Sequence, residues 1–177
     1  DTVREEAKEA IKLLQSLGIK TVMLTGDNEK TANVIAKEAG IDQYIAECLP
    51  ETKVQHMKEL LAEHKFVGMV GDGINDAPAL ATATTGFAMG EGTDVALETA
   101  DVILMKNDLS KIAYAVKMSR KMQRIVKQNI FFSITVIALL IISNFLQVVD
   151  LPMGVIGHEG STILVILNGL RMLNRNI

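Results

Sequence analysis

The fold is decided by one stretch of the chain, VGDGINDAPAL at residues 70–80. The apolar residues 66–70 lead into a Gly-Asp-Gly turn, and a segment rich in alanine and leucine follows. This order predicts a buried strand, a tight loop and a helix, because glycine on each side of Asp72 allows a sharp turn and a close approach to a ligand. Asp72 and Asp76 can then face one point at the end of the strand, where two carboxylates suit Mg²⁺. The alternative is that both aspartates serve only as turn and helix-capping residues.

Strands and helices alternate on both sides of this stretch. The apolar spacing predicts helices over residues 4–17, 31–39, 52–64, 76–83 and 93–98, and strands over residues 19–24, 44–46, 66–70, 87–89 and 102–105. Such alternation is typical of an α/β fold with a parallel sheet, and ligands gather at the carboxyl ends of the strands in such sheets. Two polar loops, Thr25-Gly26-Asp27 and Gly71-Asp72-Gly73, follow strands, and Lys53 starts a helix from which it can reach the same crevice. With Asn75 they offer a hydroxyl, an amide, carboxylates and an ammonium group, which suit a phosphate with Mg²⁺.

The charge and the cysteine content exclude several classes of partner and site. The chain has 177 residues and a net charge of -3, so no nucleic-acid partner is indicated. Its one cysteine, Cys48, excludes an internal disulfide and a metal site built from several cysteines. The chain begins at Asp1 without a methionine, and we expect it to be a fragment of a longer protein. Charged residues nearly vanish after Gln128 and return at Arg171.

Two apolar stretches fill this last part of the chain. Residues 130–149 carry no charge and, as a helix, would span roughly the 30 Å hydrocarbon core of a bilayer. Residues 153–170 form the second stretch. The basic residues that flank the pair lie before the first stretch and after the second, at Arg120, Lys121, Arg124, Lys127, Arg171 and Arg175. The positive-inside rule therefore predicts a transmembrane hairpin with both outer ends in the cytoplasm. The alternative is a pair of buried core helices.

The second stretch contains two ionisable residues, His158 and Glu159. Ionisable groups at membrane depth are costly and indicate function. An imidazole and a carboxylate suit Zn²⁺ or a similar divalent ion rather than Cu⁺, and Ser161 and Thr162 add oxygen atoms. The alternative is that His158 and Glu159 pair with each other or cap a break in the helix. Hydrogen bonds between helices are the expected role of the other polar side chains, which are Asn129, Ser133, Ser143, Asn144, Gln147 and Asn168.

Three of these motifs resemble the phosphorylation domain of P-type ATPases: Thr25-Gly26-Asp27, Pro50-Glu51-Thr52-Lys53 and the 70–80 stretch. The opening Asp1-Thr2-Val3-Arg4 resembles the family segment that follows the nucleotide-binding domain. The apolar hairpin directly after the domain resembles the heavy-metal subgroup. HEGST at residues 158–162, with no lysine in residues 130–149, resembles the zinc/cobalt-type branch. The resemblance covers essentially the whole chain and implies a C-terminal fragment with a haloacid-dehalogenase-like fold.

The resemblance also implies roles for the polar residues. Asp72 would bind the catalytic Mg²⁺, and Asp76 would support it. Catalytic roles around the phosphoryl group and the ATP-facing loop would fall to Thr25, Gly26, Asp27, Lys53 and Asn75. Thr25 and Asn75 would hydrogen-bond the phosphoryl oxygens, whose charge Lys53 would neutralise. The site for a transported ion would be formed by His158 and Glu159, with Ser161 or Thr162 as helpers.

The family's phosphorylated nucleophile is an aspartate in Asp-Lys-Thr-Gly-Thr, a sequence that residues 1–177 do not contain. In the related fold the strand that carries it lies between the strands at 19–24 and 66–70. We therefore expect an interrupted sheet, a fragment that is inactive alone, and ATP bound mainly by a domain absent from this chain. An incomplete sheet exposes unpaired backbone groups, so we also expect aggregation.

The expected domains are residues 1–127, the C-terminal part of the phosphorylation domain with a linker helix, and residues 128–177, the hairpin. The expected function is part of a Zn²⁺/Co²⁺-type pump that couples formation and hydrolysis of an aspartyl phosphate to ion translocation. Its partners would be the ion, the bilayer and the other domains of the pump. It would lie in the plasma membrane with the phosphorylation domain in the cytoplasm. Two alternatives are a membrane-anchored phosphatase and a non-enzymatic membrane-tethered module.

Overall fold

The structure is a computed structural model that describes residues 3–105, 108–148 and 150–173. Some predicted features lie outside the described residues: the start of the opening segment, Asp1 and Thr2; the end of the first apolar stretch, Val149; and the flanking Arg175. The chain forms two compact units, Asp1–Ala113 and Tyr114–Ile177.

The first unit alternates strands and helices, as the sequence predicts. Its helices are α1 (Glu5–Ser16), α2 (Glu29–Ala39), α3 (Pro50–Glu63), α4 (Ala77–Thr82) and α5 (Asp94–Thr99), and a 3-10 turn, Ile74–Asp76, precedes α4. Its strands are β1 (Val22–Leu24), β2 (Gln43–Ile45), β3 (Gly68–Gly71), β4 (Thr85–Met89) and β5 (Val102–Leu104). Local chemistry sets several of these bounds. Asn28 caps α2 by accepting a hydrogen bond from Thr31 N, and Gly40 ends α2 in the left-handed conformation that glycine tolerates.

The described strands form two parallel sheets rather than one. β1 pairs with β2, and β4 lies between β3 and β5. In these ladders Met23 lies opposite Tyr44, and Val70 lies opposite Phe87. Among the described strands β1 and β3 belong to different sheets, which confirms the predicted interruption between them.

Small and apolar side chains pack the 70–80 stretch onto its sheet. The main core cluster consists of Met57, Met69, Ala79, Leu80, Ala88 and Ala96. Leu80 is 1% exposed, and burying such a side chain contributes about 1.5–3 kcal/mol. Gly86 allows this contact, because a Cβ atom there would lie 3.0 Å from Leu80 O. The core therefore fixes α4 against β4, and with it the loop that precedes α4.

The second unit contains most of a long helix, α6 (Ser110–Phe145), and all of α7 (Leu151–Leu170), which a 3-10 turn, Arg171–Leu173, follows. Asp150 caps α7 by accepting a hydrogen bond from Met153 N, and Pro152 lies in its first turn. By length and composition the segments Ser110–Phe145 and Pro152–Leu173 can each cross a membrane. Almost none of their most apolar residues are buried, so the described residues do not form the buried core helices of the alternative. A membrane hairpin agrees better with this exposed apolar surface.

An amide pair joins the two long helices. Asn168 Nδ2 donates a hydrogen bond to Asn129 Oδ1 over 2.7 Å, and Asn129 Nδ2 donates to Val165 O over 3.4 Å. The predicted interhelical role is confirmed for these two asparagines. It stays a prediction for Ser133, Ser143, Asn144 and Gln147.

Candidate functional site

The Gly-Asp-Gly turn is tight because the chain folds back on its own strand. β3 ends at Gly71, and the 3-10 turn brings the Asp76 side chain against it. A Cβ atom on Gly71 would lie 2.6 Å from Asp76 Cβ, so only glycine fits there. Asp76 precedes α4, but its side chain makes no capping hydrogen bond. The capping alternative for Asp76 is therefore wrong, and its carboxylate is directed elsewhere.

That carboxylate is paired with Lys53. Lys53 Nζ lies 2.7 Å from Asp76 Oδ1, and the two side chains are only 16% and 14% exposed. Pro50 opens α3, where a missing N–H costs nothing, and this sets Lys53 in the first turn of the helix. The structure therefore brings together two predicted site residues that are distant in sequence, at the carboxyl end of β3.

Asp72 and Asn75 lie exposed on the same turn. The backbone of Asp72 is held from behind, because Thr93 N donates a hydrogen bond to Asp72 O over 2.9 Å. Neither this contact nor the neighbouring Gly92 was predicted from the sequence. The two closely spaced glycines at 90 and 92, just after a short apolar strand, were the available signal.

The donor set fits Mg²⁺. Among the described residues there is no cluster of three or more histidine, cysteine or acidic side chains that could hold a metal ion by itself. Mg²⁺ does not require one, since it takes one or two protein carboxylates and completes its shell with water and phosphate oxygens. Asp72 with Asp76 matches that requirement, and the Lys53 ammonium supplies a positive charge that favours a phosphate.

The second predicted loop, Thr25-Gly26-Asp27, is closed by its own hydrogen bonds. Thr25 Oγ1 donates to Asp27 Oδ2 over 3.0 Å and accepts from Asp27 N over 3.1 Å. The loop is also joined to the segment after β2, because Cys48 N donates to Thr25 O and Glu47 N donates to Asp27 O. Gly26 packs beside Cys48, whose carbonyl oxygen would lie 3.5 Å from a Cβ atom at position 26.

Cys48 is buried beside this loop. Burial raises the pKa of the Cys48 thiol, while a hydrogen bond with the Thr25 backbone and the nearby positive charge of Lys53 lower it. The effect of burial is the largest, so the pKa of the thiol is raised and the thiol is kept neutral. Cys48 thus ties the segment after β2 to the Thr25-Gly26-Asp27 loop, a contact that the sequence did not reveal.

In the second unit, His158 and Glu159 lie exposed in an unbroken α7. The alternative in which they cap a helix break is therefore wrong. Ser161 Oγ and Thr162 Oγ1 both donate to His158 O, over 2.6 and 3.2 Å. These bonds occupy the hydroxyl hydrogens and leave oxygen lone pairs free to accept or ligate. Successive side chains of an α-helix point about 100° apart around the helix axis. Viewed along the axis of α7, Thr162 therefore projects between the directions of His158 and Glu159, one turn further along the chain.

Comparison with known proteins gives matches in both units. The family described as haloacid dehalogenase-like hydrolase matches residues 1–84. A zinc-transporting ATPase of Bacillus subtilis is 65% identical over 173 residues, which cover 98% of this chain and 27% of that protein. A probable cadmium-transporting ATPase of Alkalihalophilus pseudofirmus is 49% identical over 98% of this chain and 24% of its own length.

Among solved structures, the chain is similar to a zinc-transporting PIB-type ATPase in the E2.Pi state. The TM-score is 0.92 at 41% sequence identity, and the match covers 98% of this chain and 28% of that one. The chain thus spans about a quarter of the length of the curated relatives that it matches.

Proposed function

The chain belongs to the P-type ATPases, and on that premise we propose that it is the part of a heavy-metal pump that holds half of the phosphorylation site and a membrane ion site. The pump would couple the formation and hydrolysis of an aspartyl phosphate to the movement of a divalent metal ion. The observation that carries the proposal is the Lys53–Asp76 ion pair at the carboxyl end of β3. It brings Lys53 of one family motif into contact with Asp76 of another.

In this proposal Asp72 holds the catalytic Mg²⁺ with support from Asp76, and Lys53 binds the phosphoryl group. Mg²⁺ supplies positive charge to the phosphoryl oxygens when it is bound. Asn75 donates a hydrogen bond to the same oxygens, and Thr25 does so when its hydroxyl turns from Asp27 Oδ2 to the phosphoryl group. Gly26 and Asp27 shape the loop that meets ATP and the attacking water. The phosphorylated aspartate and most of the nucleotide site belong to other parts of the pump.

The proposed membrane site uses His158 and Glu159, with Ser161 or Thr162 as an additional oxygen ligand. Zn²⁺ fits the imidazole and carboxylate pair, and Co²⁺ fits the same donor types. Further ligands would come from other transmembrane helices of the pump. The high identity to a zinc-transporting ATPase supports Zn²⁺ as the first ion to test.

We propose that the pump lies in the plasma membrane with residues 1–127 on the cytoplasmic side and residues 128–177 as the hairpin. The basic residues of α6, which precede the apolar part of that helix, support this orientation. ATP, the bilayer and the remaining pump domains are then the partners of this chain.

The test is phosphorylation of the complete pump with Asp72→Asn. We expect Mg²⁺-dependent phosphoenzyme formation from ATP and from inorganic phosphate to be lost, because one carboxylate that anchors Mg²⁺ is removed. Glu98→Gln, an exposed neutralisation on α5, is the control and should retain phosphorylation. Undiminished phosphoenzyme in Asp72→Asn would refute the assignment. Hydrolysis of simple phosphate monoesters by the chain alone would favour the phosphatase alternative instead.

A further inference from the structure

The turn between β4 and α5 packs against the back of the Asp72 loop. Thr93 N donates to Asp72 O over 2.9 Å, and Gly92 N donates to Met89 O over 2.8 Å. The turn therefore touches the backbone of Asp72, while Asp72 as a residue stays exposed to solvent. A contact of this kind controls where the carboxylate points.

Gly92 approaches this backbone so closely that a side chain has no room. A Cβ atom at position 92 would lie 2.8 Å from both Asp72 O and Met89 O, and 3.3 Å from Asp72 Cα. These distances are shorter than the ~3.5 Å at which non-bonded carbon atoms attract best. The obstructing atoms belong to the backbone and cannot rotate away as a flexible side chain can. Any side chain at 92 must therefore displace Asp72 or the turn itself.

The turn and the strand before Asp72 are both anchored in one core, so a side chain at 92 would strain the backbone contact with Asp72 rather than push the turn freely away. Thr93 caps α5, since its hydroxyl oxygen accepts a hydrogen bond from Ala96 N over 3.4 Å. Ala96 is fully buried in the same core cluster as Met69 of β3 and Leu80 of α4. Two sides of one core thus hold the strand before Asp72 and the turn behind it.

We infer that Gly92 and the backbone N–H of Thr93 are positioning residues that aim the Asp72 carboxylate at its Mg²⁺. This inference rests on the proposed Mg²⁺ role of Asp72. Neither residue touches the ion, and both act through the carbonyl group of Asp72. Groups that orient a metal ligand change metal affinity by about 10- to 100-fold when they are altered.

The first test compares Gly92→Ala with Gly90→Ala in the complete pump. Gly90 is a matched control, because a Cβ atom there would also lie 2.8 Å from a backbone oxygen, that of Leu104 rather than Asp72. Mn²⁺ is used as the probe, and its binding is followed by the loss of the free Mn²⁺ signal in electron paramagnetic resonance. Mn²⁺ binding that the complete pump shows and the Asp72→Ala variant lacks is taken as binding that depends on Asp72. A second readout is the Mg²⁺ concentration that gives half-maximal phosphorylation by inorganic phosphate.

We expect Gly92→Ala to weaken the Asp72-dependent Mn²⁺ binding, and to raise the required Mg²⁺ concentration, by about 10- to 100-fold. Gly90→Ala should leave both values close to wild type, even where it lowers the amount of folded pump. Equal shifts in the two variants would overturn the inference, because they would indicate general destabilisation. Mn²⁺ binding that is unchanged in Asp72→Ala would overturn the Mg²⁺ role of Asp72 itself, which is a distinguishable result.

A second pair of variants tests the positioning role of the Thr93 N–H if Gly92→Ala does not fold. Thr93→Pro removes the N–H that binds Asp72 O, and the φ of -71° at Thr93 suits proline. Thr93→Val keeps that N–H and removes only the hydroxyl that caps α5. We expect weaker Mn²⁺ binding in Thr93→Pro than in Thr93→Val. Equal affinities in this pair would also overturn the inference.

Discussion

Lys53 and Asp76 form an ion pair over 2.7 Å between the first turn of α3 and the 3-10 turn after β3. Both side chains are largely shielded from water, so the attraction between their charges is screened less than in an exposed pair. The pair ties α3 to the loop that carries Asp72. It also keeps the ammonium group at the carboxyl end of β3, where we propose that a phosphoryl group binds.

Loss of the lysine charge should destabilise the first unit. Lys53→Met leaves the Asp76 carboxylate shielded from water without its ionic partner, and we expect a loss of about 1–3 kcal/mol of unfolding free energy. Denaturant unfolding of the detergent-solubilised chain measures it. Lys58→Met removes an exposed lysine from the same helix and should change stability by less than about 0.5 kcal/mol.

The double variant Lys53→Met/Asp76→Asn separates the pair from other effects. Its destabilisation should be smaller than the sum of the two single changes, because the second change removes the unpaired charge left by the first. Additive losses would show that the two side chains contribute independently, contrary to the geometry.

His158 provides a test of the proposed ion site that leaves the phosphorylation site untouched. His158→Ala in the complete pump should abolish metal-stimulated ATP turnover, because an imidazole ligand is lost. Phosphorylation by inorganic phosphate should persist, since Asp72, Asp76 and Lys53 are intact. The control is His64→Ala, which removes an imidazole from the end of α3. Full metal-stimulated turnover in His158→Ala would rule out the ligand role.

The Asn129–Asn168 hydrogen bond should hold α6 and α7 in register. Asn168→Leu removes the amide that donates to Asn129 Oδ1, and interhelical hydrogen bonds in membranes contribute about 0.6 kcal/mol on average. We expect a loss of that size in the unfolding free energy of the hairpin in detergent. Asn144→Leu, an exposed change near the end of α6, should have a smaller effect. A double variant with Asn129→Leu should lose little more than either single variant.

The sequence predicted the parts of this site that depend on local chemistry. The turn around Asp72 follows from glycine and apolar spacing within a few residues. The helix predicted over residues 52–64 is also present, although α3 begins two residues earlier, at Pro50. The interruption of the sheet came from the family resemblance. The packing of Gly92 on Asp72 O depends on how separate elements meet in space, which spacing along the chain does not encode. The 3-10 turn before α4 was also missed, because the contact between Gly71 and Asp76 that favours it exists only in the folded loop.

Asp42 gives the first unit a stability that depends on pH. Its Oδ2 accepts hydrogen bonds from Thr21 N over 2.7 Å and from Thr21 Oγ1 over 2.8 Å, and these bonds lower the pKa of the Asp42 carboxyl. Because the folded pKa lies below the unfolded value, the stabilisation is present above the unfolded pKa, about 3.9. It is lost as the pH falls through the folded pKa. Because Asp42 is exposed and solvent screens its charge, Asp42→Asn should cost less than about 1 kcal/mol at neutral pH, and the difference from wild type should shrink in acid. Denaturant midpoints at neutral and acidic pH measure this, with the exposed Glu9→Gln of α1 as control. A deficit in Asp42→Asn that stays constant down to the lowest pH would show that the carboxylate charge is not its source.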